Sequence, residues 1–192
     1  PMYASPFMFH NGLARFKQER GLFSTYGFID TKGDTVIYPQ FEKVGEFSEG
    51  LCMASKDGYN YGYINTKGEW VIEPIFEIGA SMKIGGEYDF SDKNFSGGYV
   101  AVQKDNKYGV MDKTGKIVLD YKFAFIGKFS EGLAPAKMDS LYGYIDSKGK
   151  WIIKPQFNGA EKFNHGLAAV SKGPFLEELW GFIDRNGKEI IP

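Results

Sequence analysis

The feature that most constrains this chain is that it repeats itself. Five segments open on a Phe-x-x-Gly element: Phe9-His-Asn-Gly12, Phe47-Ser-Glu-Gly50, Phe95-Ser-Gly-Gly98, Phe129-Ser-Glu-Gly132 and Phe163-Asn-His-Gly166. An aromatic-Gly run follows in each, as Tyr26-Gly-Phe-Ile-Asp30, Tyr61-Gly-Tyr-Ile-Asn65, Tyr108-Gly-Val-Met-Asp112, Tyr142-Gly-Tyr-Ile-Asp146 and Trp180-Gly-Phe-Ile-Asp184. An aliphatic pair closes each copy: Val36-Ile37, Val71-Ile72, Val118-Leu119, Ile152-Ile153 and Ile190-Ile191. Successive Phe-x-x-Gly elements lie 38, 48, 34 and 34 residues apart. Periods of this size mark arrays in which each copy is one supersecondary unit that buries its apolar face only against its neighbours. The copies span approximately residues 7–41, 42–76, 77–123, 124–157 and 158–192, one repeat domain over 1–192.

Each copy reads as three short antiparallel strands. The first follows the Phe-x-x-Gly glycine, with small or apolar residues at every second position, as in Leu167-Ala-Ala-Val170. The second is the aromatic-Gly run, with Gly27 and Ile29 on one face and Tyr26 and Phe28 on the other. The third is the aliphatic pair, which Pro39, Pro74 and Pro155 are expected to terminate because proline donates no ladder hydrogen bond. Between the second and third strands, Asp or Asn is followed three residues later by Gly33, Gly68, Gly115, Gly149 or Gly187. That spacing predicts a type I turn with a glycine bulge, the acid accepting a backbone N–H and the glycine taking positive φ. The connection between the first two strands is about nine residues in copies one and five and five or six in the others. No stretch combines helical periodicity with caps, so the fold class is all-β.

The recurring aromatic-Gly-[Phe/Tyr]-Ile-[Asp/Asn]-x-x-Gly-x-x-[Val/Ile]-Ile-x-Pro-x-Phe, followed by Phe-Ser-Glu-Gly-Leu-Ala, resembles the bacterial WG (KWG) repeat over nearly the whole chain. Only Trp180-Gly181 keeps the tryptophan, and the third copy has Tyr121 where the others have proline. The resemblance implies a β-repeat module with no common enzymatic activity, found in contexts that include predicted immunity proteins of toxin systems. An open, β-solenoid-like array of five tandem three-stranded units is the expected architecture, with a closed five-bladed propeller-like ring as the alternative. The longer connections of the first and last copies, around Leu22-Phe23 and Phe175-Leu176, would cap the open form.

Composition narrows the chemistry. With 23 Lys+Arg against 24 Asp+Glu, the net charge of −1 supplies no long-range field for a phosphate backbone, and no nucleic-acid partner is expected. No apolar run approaches the roughly 20 residues that span a bilayer, so no membrane partner is expected. The single cysteine, Cys52, aligns with Ala14, Val100, Ala134 and Ala168 and reads as a small inward residue rather than a nucleophile. His10 and His165 form no metal-ligand pair, and each repeat turn offers one carboxylate where calcium needs six to eight oxygens. Catalytic residues, metals and cofactors are therefore expected to be absent. Pro1 before Met2 reads as the remnant of a cleaved tag, which makes a leaderless cytoplasmic protein the expectation.

Two places break the repeat. About thirteen additional residues lie between Phe76 and Phe95, and they carry Glu87, Tyr88, Asp89, Phe90 and Asp92. Insertions in arrays map to loops on the binding face, and aromatics rimmed by acids suit a basic protein surface. This insertion is the expected partner site. Trp70 and Trp151 share a third-strand slot with Thr35, Ile117 and Glu189; they and the end-loop residues Phe175 and Leu176 are secondary contact candidates. The expectation is a non-enzymatic protein binder, specifically an immunity-type inhibitor of a basic toxin or effector. The alternative is a carbohydrate-binding or cell-envelope module that uses the two tryptophans.

Overall fold

The computed structural model describes residues 8–20, 23–77, 81–82, 88–89, 93–173 and 179–191. All regular elements among them are antiparallel strands, apart from a single 3₁₀ position at Lys93. The chain divides into two compact halves, residues 1–94 and 95–192. The N-terminal half holds β1 (Leu13–Arg20), β2 (Phe23–Asp30) and β3 (Thr35–Phe41) in one sheet. A second sheet is ordered β4-β5-β6-β7, from Lys43–Val44, Leu51–Ser55, Asn60–Asn65 and Trp70–Glu77. A separate hairpin joins β8 (Ser81–Met82) to β9 (Tyr88–Asp89).

The C-terminal half holds three repeat sheets. The first is β10 (Tyr99–Lys104), β11 (Lys107–Asp112) and β12 (Ile117–Phe123). The second is ordered β13-β14-β15-β16, from Phe125–Ile126, Ala134–Lys137, Tyr142–Ile145 and Trp151–Phe157. The third is ordered β17-β18-β19-β20, from Gly159–Ala160, Leu167–Lys172, Leu179–Asp184 and Glu189–Ile191. The protein is an all-β array of small antiparallel sheets, none of them closed into a barrel.

Sequence and structure differ at three points. A two-residue strand (β4, β13 or β17) adds a fourth member to three of the repeat sheets, pairing with the strand after the Phe-x-x-Gly turn. The connection in copy one is mostly strand: pairing runs out to Glu19↔Ser24 and Arg20↔Phe23, past the expected loop. The prolines do not end the third strand. β3, β7 and β16 run through Pro39, Pro74 and Pro155 and regain pairing at Phe41↔Tyr26, Phe76↔Tyr61 and Phe157↔Tyr142. Between Tyr26↔Phe41 and Phe28↔Ile37 the second strand advances two residues and the third advances four. Proline falls in this bulge, where its missing N–H leaves no ladder bond unmade.

The glycine of the second strand is what admits the bulge. A Cβ on Gly143 would meet the Ile153 carbonyl oxygen and lie 2.7 Å from the nitrogen of Pro155 and 2.8 Å from the carbonyl carbon of Lys154. Gly27 and Gly62 face the corresponding backbone of β3 and β7 in the same way. Copy three keeps the bulge with Tyr121 in the proline's place, and Gly109 stands 2.6 Å from the Leu119 oxygen by the same construction.

Neighbouring sheets share cores. Phe28, Ile37 and Phe41 of the first repeat pack with Val44, Phe47, Cys52, Ala54 and Ile64 of the second. In the C-terminal half, Val110, Leu119 and Phe123 join Ile126, Phe129 and Ile145. Tyr144, Ile153 and Phe157 join Phe163, Val170 and Ile183 in turn. What a following sheet contributes is visible in the last repeat, where Phe182 is 41 % exposed while its counterparts Phe28 and Tyr144 are 1 % and 0 % exposed.

Gly143→Ala is expected to lower stability by about 2 kcal/mol, the cost of forcing backbone apart in a packed site. Gly109→Ala, whose other neighbours stand back at 3.3 Å, should cost less. Urea unfolding midpoints of the two variants check the order, and equal losses would contradict this account of the bulge.

Candidate functional site

The turns place every repeated acid. Asp30 Oδ1 accepts hydrogen bonds from the N–H groups of Lys32 and Asp34, both at 2.9 Å, and the Gly33 N–H donates to the Asp30 carbonyl at 3.0 Å. Asn65, Asp112, Asp146 and Asp184 repeat the arrangement, and Gly33, Gly68, Gly115, Gly149 and Gly187 take φ between 76° and 89°. The Asp112 carboxyl is held below its ordinary value, first by the Thr114 hydroxyl and then by backbone N–H donors. These acids are turn-formers, and Asn65 performs the same task without a charge.

The Phe-x-x-Gly elements hold a second kind of turn. Glu49 and Gly50 have φ of 51° and 86°, and Ser48 and Leu51 exchange both backbone hydrogen bonds. Positive φ at both central residues is the type I′ hairpin turn. Asn11-Gly12, Gly97-Gly98, Glu131-Gly132 and His165-Gly166 form it as well. Asn-Gly and Gly-Gly in two copies were the sequence signal for it; Glu-Gly and His-Gly in the others concealed it. The Glu131 carboxylate accepts the Gly166 N–H, and its carbonyl accepts a 2.7 Å bond from the Arg185 guanidinium. Glu131 thus ties the fourth repeat to the fifth. His10 lies 3.2 Å from the Glu46 carboxylate on a partly exposed surface.

Cys52 is fully buried in the shared core of the first two repeats, its thiol donating to the Met53 carbonyl at 3.3 Å. Burial pushes that thiol far above the ordinary cysteine range. A nucleophile needs the thiolate and access, and this position supplies neither. Among the described residues no group of three or more His, Cys, Asp or Glu side chains is placed to hold a metal ion.

Of the sequence-derived contact candidates, Tyr88 and Asp89 form β9 and pair with Met82 and Ser81. Glu87, Phe90 and Asp92 lie outside the described residues, as do Phe175 and Leu176. Trp70 is half-buried, edge-on to Phe41 of the preceding repeat with ring centroids 5.7 Å apart. Trp151 stands 5.8 Å from Phe123 in the same relation. Both rings pack one repeat on the next.

The third strand of each repeat sheet is its outer member, and a second irregularity turns one residue of it outward. Ile29 pairs with Thr35 while Phe28 pairs with Ile37, so Val36 is an additional residue with no opposite partner. Val71, Ile152 and Ile190 occupy the same slot, and the four are between 41 and 47 % exposed. The N-terminal half thus carries Val36 and Val71 on its surface and the C-terminal half Ile152 and Ile190, while Val118 in the same slot of the third repeat is half-buried against a core.

Six segments of the chain match the family described as WG containing repeat: residues 26–59, 61–78, 82–108, 108–142, 142–173 and 180–192. The chain belongs to the WG-repeat family. Five of these segments begin at an aromatic-Gly pair, and in the four that open on Tyr-Gly that glycine lies under the third-strand bulge. Trp180 of the one literal WG pair is 52 % exposed, while Tyr26, Tyr108 and Tyr142 hold the same slot half-buried. No curated protein matches the chain.

In the native WG-repeat protein, Cys52 should resist a thiol reagent at pH 8.5, near the value at which a free cysteine is half ionised, and react only as the chain unfolds. Labelling rates followed across a urea series check this. Fast labelling without denaturant would place the thiol outside the core.

Proposed function

We propose that this WG-repeat protein is a non-enzymatic binder of another protein, and specifically an immunity-type inhibitor that covers the active site of a basic toxin or effector. One observation carries the reading. Among the described residues, Ser81–Met82 and Tyr88–Asp89 pair with each other and join none of the repeat sheets, so the insertion departs from the repeat scaffold. A departure of this kind is where a repeat array gains a specific contact. The half that bears it has 13 Asp+Glu against 9 Lys+Arg, a sign that favours a basic partner through steering and complementarity.

The absence of catalysis in this proposal is supported by what the candidate groups already do. Cys52 fills a core, the repeated acids close turns, and Glu131 bridges two repeats. A glycan-binding role would draw on Trp70 and Trp151, whose rings lie against Phe41 and Phe123.

The test uses Glu87→Lys/Asp89→Lys/Asp92→Lys rather than a deletion, because the Lys93 carbonyl accepts the buried Tyr63 hydroxyl at 2.9 Å and the segment's end belongs to the fold. Affinity capture with the native chain is expected to recover a basic protein whose toxic activity is suppressed at one-to-one stoichiometry. The triple variant should lose that protein by at least about tenfold in affinity. Equal capture by both forms would overturn the site, and capture of nothing by either would overturn the reading.

A further inference from the structure

The third strands of the two halves carry the same aliphatic row with opposite charge beside it. Two residues before the aliphatic slot stand Asp34 and Glu69 in the N-terminal half and Lys116, Lys150 and Lys188 in the C-terminal half. Two residues after it stand Tyr38 and Glu73 in the first, and Asp120 and Lys154 in the second. All of these side chains are exposed. At these two slots, the three charges of the N-terminal half are all acidic. Four of the five in the C-terminal half are lysines, Asp120 being the exception. The turn corners do not share the pattern, since Lys32 and Lys67 match Lys113 and Lys148. The halves as a whole follow it, with 13 Asp+Glu and 9 Lys+Arg in residues 1–94 against 11 and 14 in residues 95–192.

Within each half the rows are aligned by the packing already described. The first two repeats share one core, and repeats three to five share two. Both rows are set by the same sheet-on-sheet stacking, roughly 10 Å per step. An acidic row with an aliphatic spine and a lysine row with an aliphatic spine, built at one period, are complementary surfaces. Val36, Tyr38, Val71 and Ile75 supply exposed apolar area on one, and Ile152 and Ile190 on the other.

We infer that the protein associates with a second copy of itself, the acidic third-strand row of one copy lying on the lysine row of the other. The occupant is a like chain because both surfaces are present on the same polypeptide with a common period. Contact runs through side chains rather than by strand addition, since two bulges in each of the first four third strands, and one in β20, interrupt the edge hydrogen-bonding pattern. If the contact is reciprocal it closes as a two-fold dimer, and if it is not it propagates as a chain of copies. None of the residues of this surface belongs to the insertion, so the inference is independent of the toxin-inhibitor reading.

Light scattering coupled to size exclusion tests it on the full-length protein. At about 50 mM salt the native chain should be larger than a monomer, and at about 1 M salt it should dissociate, because exposed pairs are screened. Asp34→Lys/Glu69→Lys/Glu73→Lys and, separately, Lys150→Glu/Lys154→Glu/Lys188→Glu should each be monomeric, with association at least about a hundredfold weaker. Mixed one to one, the two variants should associate again, since each then presents the sign the other lacks. Circular dichroism identical to native keeps misfolding out of the comparison. A native monomer at all salts, or a mixture that stays monomeric, overturns the inference. Self-association retained by either variant alone does so too.

Discussion

Each of the first four repeats is built around a place where two strands come closer than side chains allow. The third strand carries two more residues than its partner between the Ile and Phe anchors, and that bulge presses its carbonyl and proline nitrogen onto a glycine. Any Cβ there meets backbone, which cannot rotate away as a side chain can. The bulge sets where the strand resumes, and so sends Phe41, Phe123 and Phe157 into cores shared with the following sheet. A second, separate irregularity leaves the preceding aliphatic outside the ladder and on the surface. Core and stacking descend from the glycine contact.

Stacking then determines which residues matter for stability. A single three-stranded sheet of this size leaves a face uncovered and would be marginal alone. Sheets that share Phe, Ile and Tyr side chains with a neighbour bury that face, and the exposure of Phe182 against its buried counterparts measures the difference. Glu131 and the two tryptophans add links of the same kind, from one repeat to the next. Residues that recur with the repeat thus serve the array. Residues that change from copy to copy, such as the edge charges and the insertion, carry no such duty to the array.

How much of this was legible beforehand follows from the range of the forces involved. The Asp-x-x-Gly turns could be read because a carboxylate, two N–H donors and a glycine lie within five residues and need no distant partner. The inward place of Cys52 could be read from the alanines and valine in its slot. The prolines misled because their effect depends on the opposite strand: against a regular partner proline ends a ladder, against a glycine it sits in a bulge. Trp70 and Trp151 read as partly exposed from the Thr and Glu in their slot, and they are, but the Phe41 and Phe123 rings they lean on belong to other sheets. The insertion was recognisable by length alone, and its pairing required coordinates.

By itself the sequence determined the all-β class, the number of repeats, their strand order, the glycine turns between second and third strands and membership of the WG-repeat family, because five aligned copies average away local accident. Tertiary structure alone decided the double bulge, the short fourth strand and the cores shared between sheets. Those depend on register, and register is a relation between strands far apart in the chain. A periodic sequence states which residues are equivalent; only packing states which of them stand side by side.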